Sequence, residues 1–150
     1  LSVPVGAAYG SVNRILYPTD LLHKEQHNLN WLVSYARLHQ ATIHLLHVEN
    51  DSVNNSLNHI LDLVEELPYD KLTYEIVNDD DISKTILDHC KTDNVDMIAM
   101  TTHTTTLFDK IFHASLTSDV LNHSSIPFIG FSERETEPYN FSWLYSIKKS

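Results

Sequence analysis

The chain has 150 residues, of which 42% are hydrophobic, and a formal net charge of −10. This length predicts one domain with a substantial core, and the hydrophobic fraction excludes an intrinsically disordered chain. Half of the 20 acidic residues lie between Glu49 and Asp81, a stretch in which Lys71 is the one Lys or Arg. Such a surface repels phosphate backbones and anionic lipids, so we expect no nucleic-acid and no membrane partner.

Short apolar runs alternate with amphipathic segments along most of the chain. The runs predict strands over Arg14–Tyr17, Thr42–Val48, Leu72–Val77, Val95–Met100 and Ile126–Phe131. Helical spacing of apolar residues predicts helices over residues 24–39, around 57–64, from about 81 to 91 and over 115–123. Strands and helices in this alternation predict an α/β protein with an open, doubly wound, five-stranded parallel sheet and helices on both faces.

Two end segments do not fit this repeating unit. Residues 1–11 contain a Val-Pro-Val core similar to the fifth strand, and we interpret them as the remnant of a preceding domain or a linker. Residues 132–150 form an aromatic tail whose alternation fits a strand, although the spacing of Phe141, Leu144, Tyr145 and Lys148 also fits a helix. Exposed aromatic residues are unfavourable, so this tail either packs on its own domain or covers a partner.

The predicted sheet indicates where a ligand would bind. Ligands of doubly wound sheets bind beyond the carboxyl ends of the strands, where the winding reverses. If the first and fourth strands are neighbours there, Asp20 and the Thr101–Thr106 loop face each other. The chain has no glycine between Ser11 and Ile129, so its backbone lacks the residues that best allow close wrapping of a phosphate.

Several short motifs, in this order and spacing, resemble the universal stress protein superfamily over residues 12–131. They are Pro18-Thr19-Asp20, Leu45-Leu46-His47-Val48, Asp96–Thr104, Ala114-Ser115, Val120-Leu121 and Ile126-Pro127. The resemblance implies an adenine-nucleotide alpha-hydrolase-like fold. It also implies that Asp20 would bind the ribose of a nucleotide, Val48 the adenine through its backbone, and Ser115 a phosphate.

The loop after the fourth strand departs from the pattern of nucleotide-binding members. Their loop reads G-x2-G-x9-G-[ST], and the matching positions here are Thr101, Thr104, Ala114 and Ser115, with His103 inside the loop. All three glycines are replaced and only the hydroxyl remains. Branched threonines add bulk and resist positive φ angles, so we expect no cofactor or weakly bound ATP, with Mg²⁺ if ATP binds.

The resemblance also implies a mode of action. Members of the superfamily pair through the edge of the fifth strand, and this chain is similar to the second domain of a tandem protein. We therefore expect a homodimer, or pairing with a first domain, through a fifth strand whose edge is open and prone to self-association. The expected location is cytoplasmic.

Three functions compete on these grounds. The favoured hypothesis is a non-enzymatic stress-response domain that acts by dimerisation or partner binding and has a degenerate nucleotide site. The alternative is an adenine-nucleotide sensor whose threonine-rich loop replaces the glycine loop. An enzyme is disfavoured because the sequence has no Walker A motif, no glycine-rich pyrophosphate loop and no acidic pair beside a nucleophile.

Single reactive residues add little to these hypotheses. Cys90 lies in an apolar helical pattern and is expected to be an inert core or half-buried thiol and not a nucleophile. His23 and His27 stand four residues apart but are followed by no third ligand at a recognised spacing, so we expect no metal site. His44 and His47 lie in one predicted strand and must point to opposite faces.

Overall fold

The computed structural model describes residues 11–21, 25–50, 56–101 and 126–131, together with the backbone of residues 141–146. The described strands are β1 Arg14–Pro18, β2 Thr42–Glu49, β3 Leu72–Asn78, β4 Met97–Thr101, β5 Pro127–Phe131 and β6 Phe141–Ser146. The described helices are α1 Gln26–His39, α2 Ser56–Glu65 and α3 Ile82–Thr92. The helix predicted over residues 115–123 lies outside the described residues. Each described helix is too short or too polar to cross a bilayer.

These strands form one sheet in the order β3-β2-β1-β4-β5-β6. The first five strands run parallel to one another, which confirms the predicted five-stranded parallel sheet. The winding reverses between β1 and β4, where Ile15 pairs with Met97 and Leu16 with Ile98. The first and fourth strands are therefore neighbours, which was the condition for Asp20 to face the loop after β4, and the switch point lies between them.

Each face of the sheet carries its own hydrophobic layer, because successive residues of a strand point to opposite sides. One layer lies between the sheet and helices α1 and α2, and it includes Tyr17, Leu32 and Leu45, all fully buried. The other lies between the sheet and α3, and it includes Leu46 and Cys90. Helices thus cover both faces, as the sequence predicts.

The sixth strand changes one expectation. β6 comes from the aromatic tail and pairs antiparallel with β5, so that Ile129 lies opposite Leu144 and Phe128 opposite Tyr145. The prediction that the edge of the fifth strand is open is therefore wrong, because the backbone of the same chain occupies it. The tail sequence fits both a strand and a helix, and the structure shows that residues 141–146 form a strand.

Candidate ligand site at the carboxyl ends of the strands

The chain leaves the end of β1 in a tight polar turn. The backbone N–H of Thr19 donates to the Leu46 carbonyl at 2.9 Å, which keeps the turn against β2. The Thr19 hydroxyl accepts from the Leu21 N–H at 3.1 Å, and Leu21 adopts a φ of 60°. A positive φ is uncommon for leucine and carries a steric cost. This turn fixes Asp20, which is partly exposed, beside the end of the strand.

Val48 lies on the neighbouring strand and is 8% exposed. Its side chain belongs to the hydrophobic layer under α3. Backbone groups of alternate residues in a strand point to the same side, and the Leu46 carbonyl points towards β1. The backbone of Val48 therefore faces the side on which Asp20 follows β1. The resemblance implies that this backbone contacts a base.

Thr101, the last residue of β4, is 5% exposed and its hydroxyl takes part in a buried polar network. The Thr101 Oγ1 lies 2.9 Å from the Tyr17 hydroxyl and accepts from the Asn28 amide at 3.3 Å. These bonds join β4 to β1 and α1 beneath the switch point. The hydroxyl of Thr101, which stands at the first glycine position of the loop pattern, is thus hydrogen-bonded within the protein.

The same network contains a buried acid that sequence reasoning missed. Glu25 precedes α1, is 3% exposed, and accepts a hydrogen bond from the Thr19 hydroxyl. Burial raises the pKa of Tyr17 well above its usual value, and the negative charge of Glu25 raises it further. A hydrogen bond with Thr101 opposes this shift, whereas one with Glu25 adds to it. The phenol therefore stays protonated at neutral pH and can donate to the carboxylate.

Further carboxylates line this edge of the sheet. Glu49 ends β2 and accepts from the Ser56 hydroxyl at 2.6 Å, and its carboxylate lies 3.6 Å from His47 Nε2. The backbone N–H of Asp79, just after β3, donates to the Glu49 carbonyl at 2.9 Å. A hydrogen bond from the backbone of Asp81 lowers the pKa of Asp79. Together with Asp20 and Glu25, these carboxylates give the described part of the edge a negative electrostatic potential, which disfavours polyanionic ligands.

The other predicted site residues, His103, Thr104 and Ser115, lie outside the described residues. Of the predicted positions, the structure therefore places Asp20, Val48 and Thr101 around the switch point. Among the described residues, no group of three metal-binding side chains is positioned to hold a metal ion.

The fold and this edge define a class of protein: a doubly wound α/β domain with a ligand-site position at the β1/β4 switch point. The chain belongs to the Universal stress protein family, whose model matches residues 11–129. A search of the curated proteins finds no match.

Solved structures support the same fold. The universal stress protein from Archaeoglobus fulgidus in complex with dAMP superposes with a TM-score of 0.54 at 9% identity, covering 69% of this chain and 92% of that one. A second structure of universal stress protein from the same organism gives a TM-score of 0.53 at 9% identity, covering 67% and 86% of the two chains. At such identity the similarity concerns the fold.

Proposed function

We propose that this chain is a non-enzymatic, cytoplasmic stress-response domain that acts by pairing with another protein chain and has a degenerate nucleotide site. The observation that carries the proposal is the buried network of Tyr17, Thr101 and Glu25. In this network the Thr101 hydroxyl is already hydrogen-bonded within the protein, and Glu25 supplies a buried carboxylate close to the switch point.

Electrostatics favour the same conclusion. A triphosphate at this edge would meet Asp20 and Glu49 at the ends of neighbouring strands, and like charges in a partly desolvated site repel strongly. Backbone amides of a glycine loop normally offset such repulsion, and the sequence has no glycine between Ser11 and Ile129. Phosphate binding would therefore have to rely more on side-chain hydroxyls than it does in a glycine loop.

The test is native mass spectrometry of the whole chain with and without Mg-ATP at about 100 μM. The proposal expects no uptake, which corresponds to a binding free energy weaker than about −5.5 kcal/mol. Uptake of one ATP per chain at micromolar affinity would overturn it. Steady ATP turnover that is lost in Asp20→Ala would overturn the non-enzymatic part.

A second candidate is an adenine-nucleotide sensor, favoured by the dAMP complex of the structurally similar archaeal protein and by the position of Asp20 after β1, the neighbour of the strand that carries Val48. In this case Asp20→Ala lowers ATP affinity by about tenfold, because a hydrogen bond to a charged group contributes ~1.5–3 kcal/mol. Asp79→Ala is the matched control, since it removes a carboxylate from the same edge. Equal effects of the two variants would indicate general electrostatics and exclude a ribose contact.

A further inference from the structure

A polar cavity of about 350 Å³ lies at the amino ends of the strands. Arg14 begins β1 and Thr42 begins β2, and the two residues are partners in the strand register. They point to the same face as Leu16 and Leu46 of the layer under α3, because residues two apart in a strand share a face. The polar and charged residues that line the cavity are Arg14, Thr42, His44, Thr73, Glu75 and Asp93. The cavity is therefore at the opposite end of the strands from the β1/β4 switch-point edge.

The size of this cavity suits a small organic molecule. Ligand pockets have volumes of roughly 300–1,000 Å³, so this one is near the lower limit. It is also much larger than a single water, which occupies about 30 Å³ of the liquid. Ile15 and Val95, both buried, add apolar surface to its wall. A ligand of about the size of an amino acid fits these dimensions.

Arg14 supplies hydrogen-bond donors at one side of the cavity. Its guanidinium donates to the Asp93 carbonyl at 2.7 Å, at the C-cap of α3, and makes no other hydrogen bond within the described part of the chain. A guanidinium carries several N–H donors, and its planar shape matches a carboxylate. The Thr42 hydroxyl on the neighbouring strand is a second donor. This side of the cavity therefore favours a carboxylate.

Glu75 and Asp93 supply carboxylates to the same cavity. Glu75 Oε2 lies 3.1 Å from His89 Nε2, and in the described ranges the other Glu75 oxygen makes no hydrogen bond. Asp93 directly follows α3, and the C-terminal end of a helix favours positive charge. A simple anion would be repelled by both carboxylates, and a simple cation would be repelled by Arg14. The lining therefore favours a ligand that carries both charges.

His44 adds a polar atom that lacks a partner. Its Nδ1 lies 2.8 Å from the Thr73 hydroxyl, which fixes the ring. Its Nε2 is shielded from solvent and, among the described residues, makes no hydrogen bond. Buried polar atoms of native proteins nearly always have a hydrogen-bond partner. Since His44 lines the cavity, a bound polar ligand can supply that partner.

We propose that this cavity binds a small zwitterion that carries a carboxylate and an ammonium group, such as a free amino acid. The carboxylate pairs with Arg14 and the Thr42 hydroxyl, and the ammonium group pairs with Glu75 and Asp93. The site is separate from the β1/β4 edge, so the inference goes beyond the proposed function and does not depend on it.

The first test is chemical-shift mapping by NMR on the full, isotope-labelled chain. The probes are L-alanine, β-alanine and γ-aminobutyrate, zwitterions with increasing separation of their two charges. Propionate and propylammonium, which carry one charge each, are the matched controls. We expect at least one zwitterion to bind with a Kd of about 1 mM or tighter and to shift Thr42, Thr73 and Asp93, with both controls about tenfold weaker or more. No binding of any zwitterion, or equal binding of a control, overturns the proposal.

Arg14→Gln and Arg37→Gln form a matched pair of variants, because each arginine donates to a backbone carbonyl, that of Asp93 or of Pro68. Arg37 lies on α1, which covers the other face of the sheet. Arg14→Gln should weaken zwitterion binding about tenfold, as should Glu75→Gln, because each loses a charge-assisted hydrogen bond. Arg37→Gln should match the wild type. Unchanged affinity in either cavity variant, or an equal loss in Arg37→Gln, overturns the assignment.

Competition with Mg-ATP separates this cavity from the switch-point edge. Asp20 and Glu49 follow or end their strands at the carboxyl edge, whereas Arg14 and Thr42 begin theirs. Mg-ATP should therefore leave the affinity for the zwitterion unchanged. Displacement by Mg-ATP, or shifts at Asp20 and Glu49 in place of Thr42, would put the zwitterion at the switch point and overturn the proposal. ATP uptake alone tests the degenerate nucleotide site, whereas zwitterion binding tests the cavity.

Discussion

His89 Nε2 lies 3.1 Å from Glu75 Oε2, and the contact joins α3 to β3. The other ring nitrogen of His89 lies 2.9 Å from the Thr85 carbonyl. His44 Nε2 approaches the same Glu75 oxygen at 3.4 Å, yet within the described residues it makes no hydrogen bond. The two imidazole rings are nearly parallel, with centroids 6.5 Å apart. The same carboxylate oxygen of Glu75 therefore lies within 3.4 Å of both histidines.

This contact predicts that stability depends on pH. Burial is the largest influence and lowers the pKa of His89, but the Thr85 carbonyl, Glu75 and Asp93 together exceed it and raise that pKa. A raised pKa in the folded state stabilises the protein below the unfolded value of about 6.5, and this stabilisation is lost as pH rises through the folded value. In urea unfolding, the contribution of this pair to the free energy of unfolding should be about 0.2–1 kcal/mol smaller at pH 8.5 than at pH 5.5.

The matched variant for this measurement is Glu75→Gln, which keeps the shape of the side chain and removes its charge. The difference in unfolding free energy between the two pH values should shrink in the variant relative to the wild type. His59, on α2, provides a second control, since His59→Gln removes a histidine from another helix. An unchanged pH dependence in Glu75→Gln would exclude the contact as its source.

The Tyr17–Thr101 hydrogen bond predicts non-additive effects on stability. Thr101→Val removes this bond, while the Tyr17 hydroxyl keeps its bond to Glu25, so we expect the loss of one hydrogen bond, about 0.5–1.5 kcal/mol. Tyr17→Phe removes the hydroxyl itself and also a bond to Glu25. The double variant should be less destabilised than the sum of the two, by ~0.5 kcal/mol or more, because the residues are in contact. Additive losses in urea unfolding would show that the two hydroxyls are not coupled.

The sequence predicts the strands and helices of this protein better than its buried polar network. Apolar runs and helical spacing locate β1 to β5 and α1 to α3, since burial imposes those periods. That β1 and β4 are neighbours is not shown by the alternation and comes from the structure. Glu25, by contrast, reads as an ordinary solvated acid, because its burial depends on Thr19 and Tyr17 of a different element.

The same limit applies to contacts between distant segments. His44, Glu75 and His89 lie on β2, β3 and α3, and no local spacing connects them. The aromatic tail fits both a strand and a helix period, and its pairing with β5 is a contact between distant segments that local spacing does not show. Ser146 and Pro127 are opposite each other only because of that pairing.

Asp81 caps α3, and the cap predicts a local loss of stability. Its carboxylate accepts from the Lys84 N–H at 3.1 Å, which satisfies one of the free donors of the first helical turn. Asp81→Ala should lower the unfolding free energy by about 0.5–2 kcal/mol. Asp80→Ala is the control, because it removes the same charge from the adjacent exposed position. Equal losses in thermal unfolding would assign the effect to charge alone.

Cys90 should be chemically inert in the folded protein. It is 3% exposed, and burial, with a smaller contribution from Asp93, raises the pKa of its thiol to about 12. At pH 8 the reactive thiolate is then only about one part in ten thousand. Reaction with a chromogenic disulfide reagent should be undetectable over minutes in buffer and complete within seconds in 6 M guanidinium. Stoichiometric labelling of the native chain within the same minutes would show that the thiol is accessible and that α3 opens readily from the sheet.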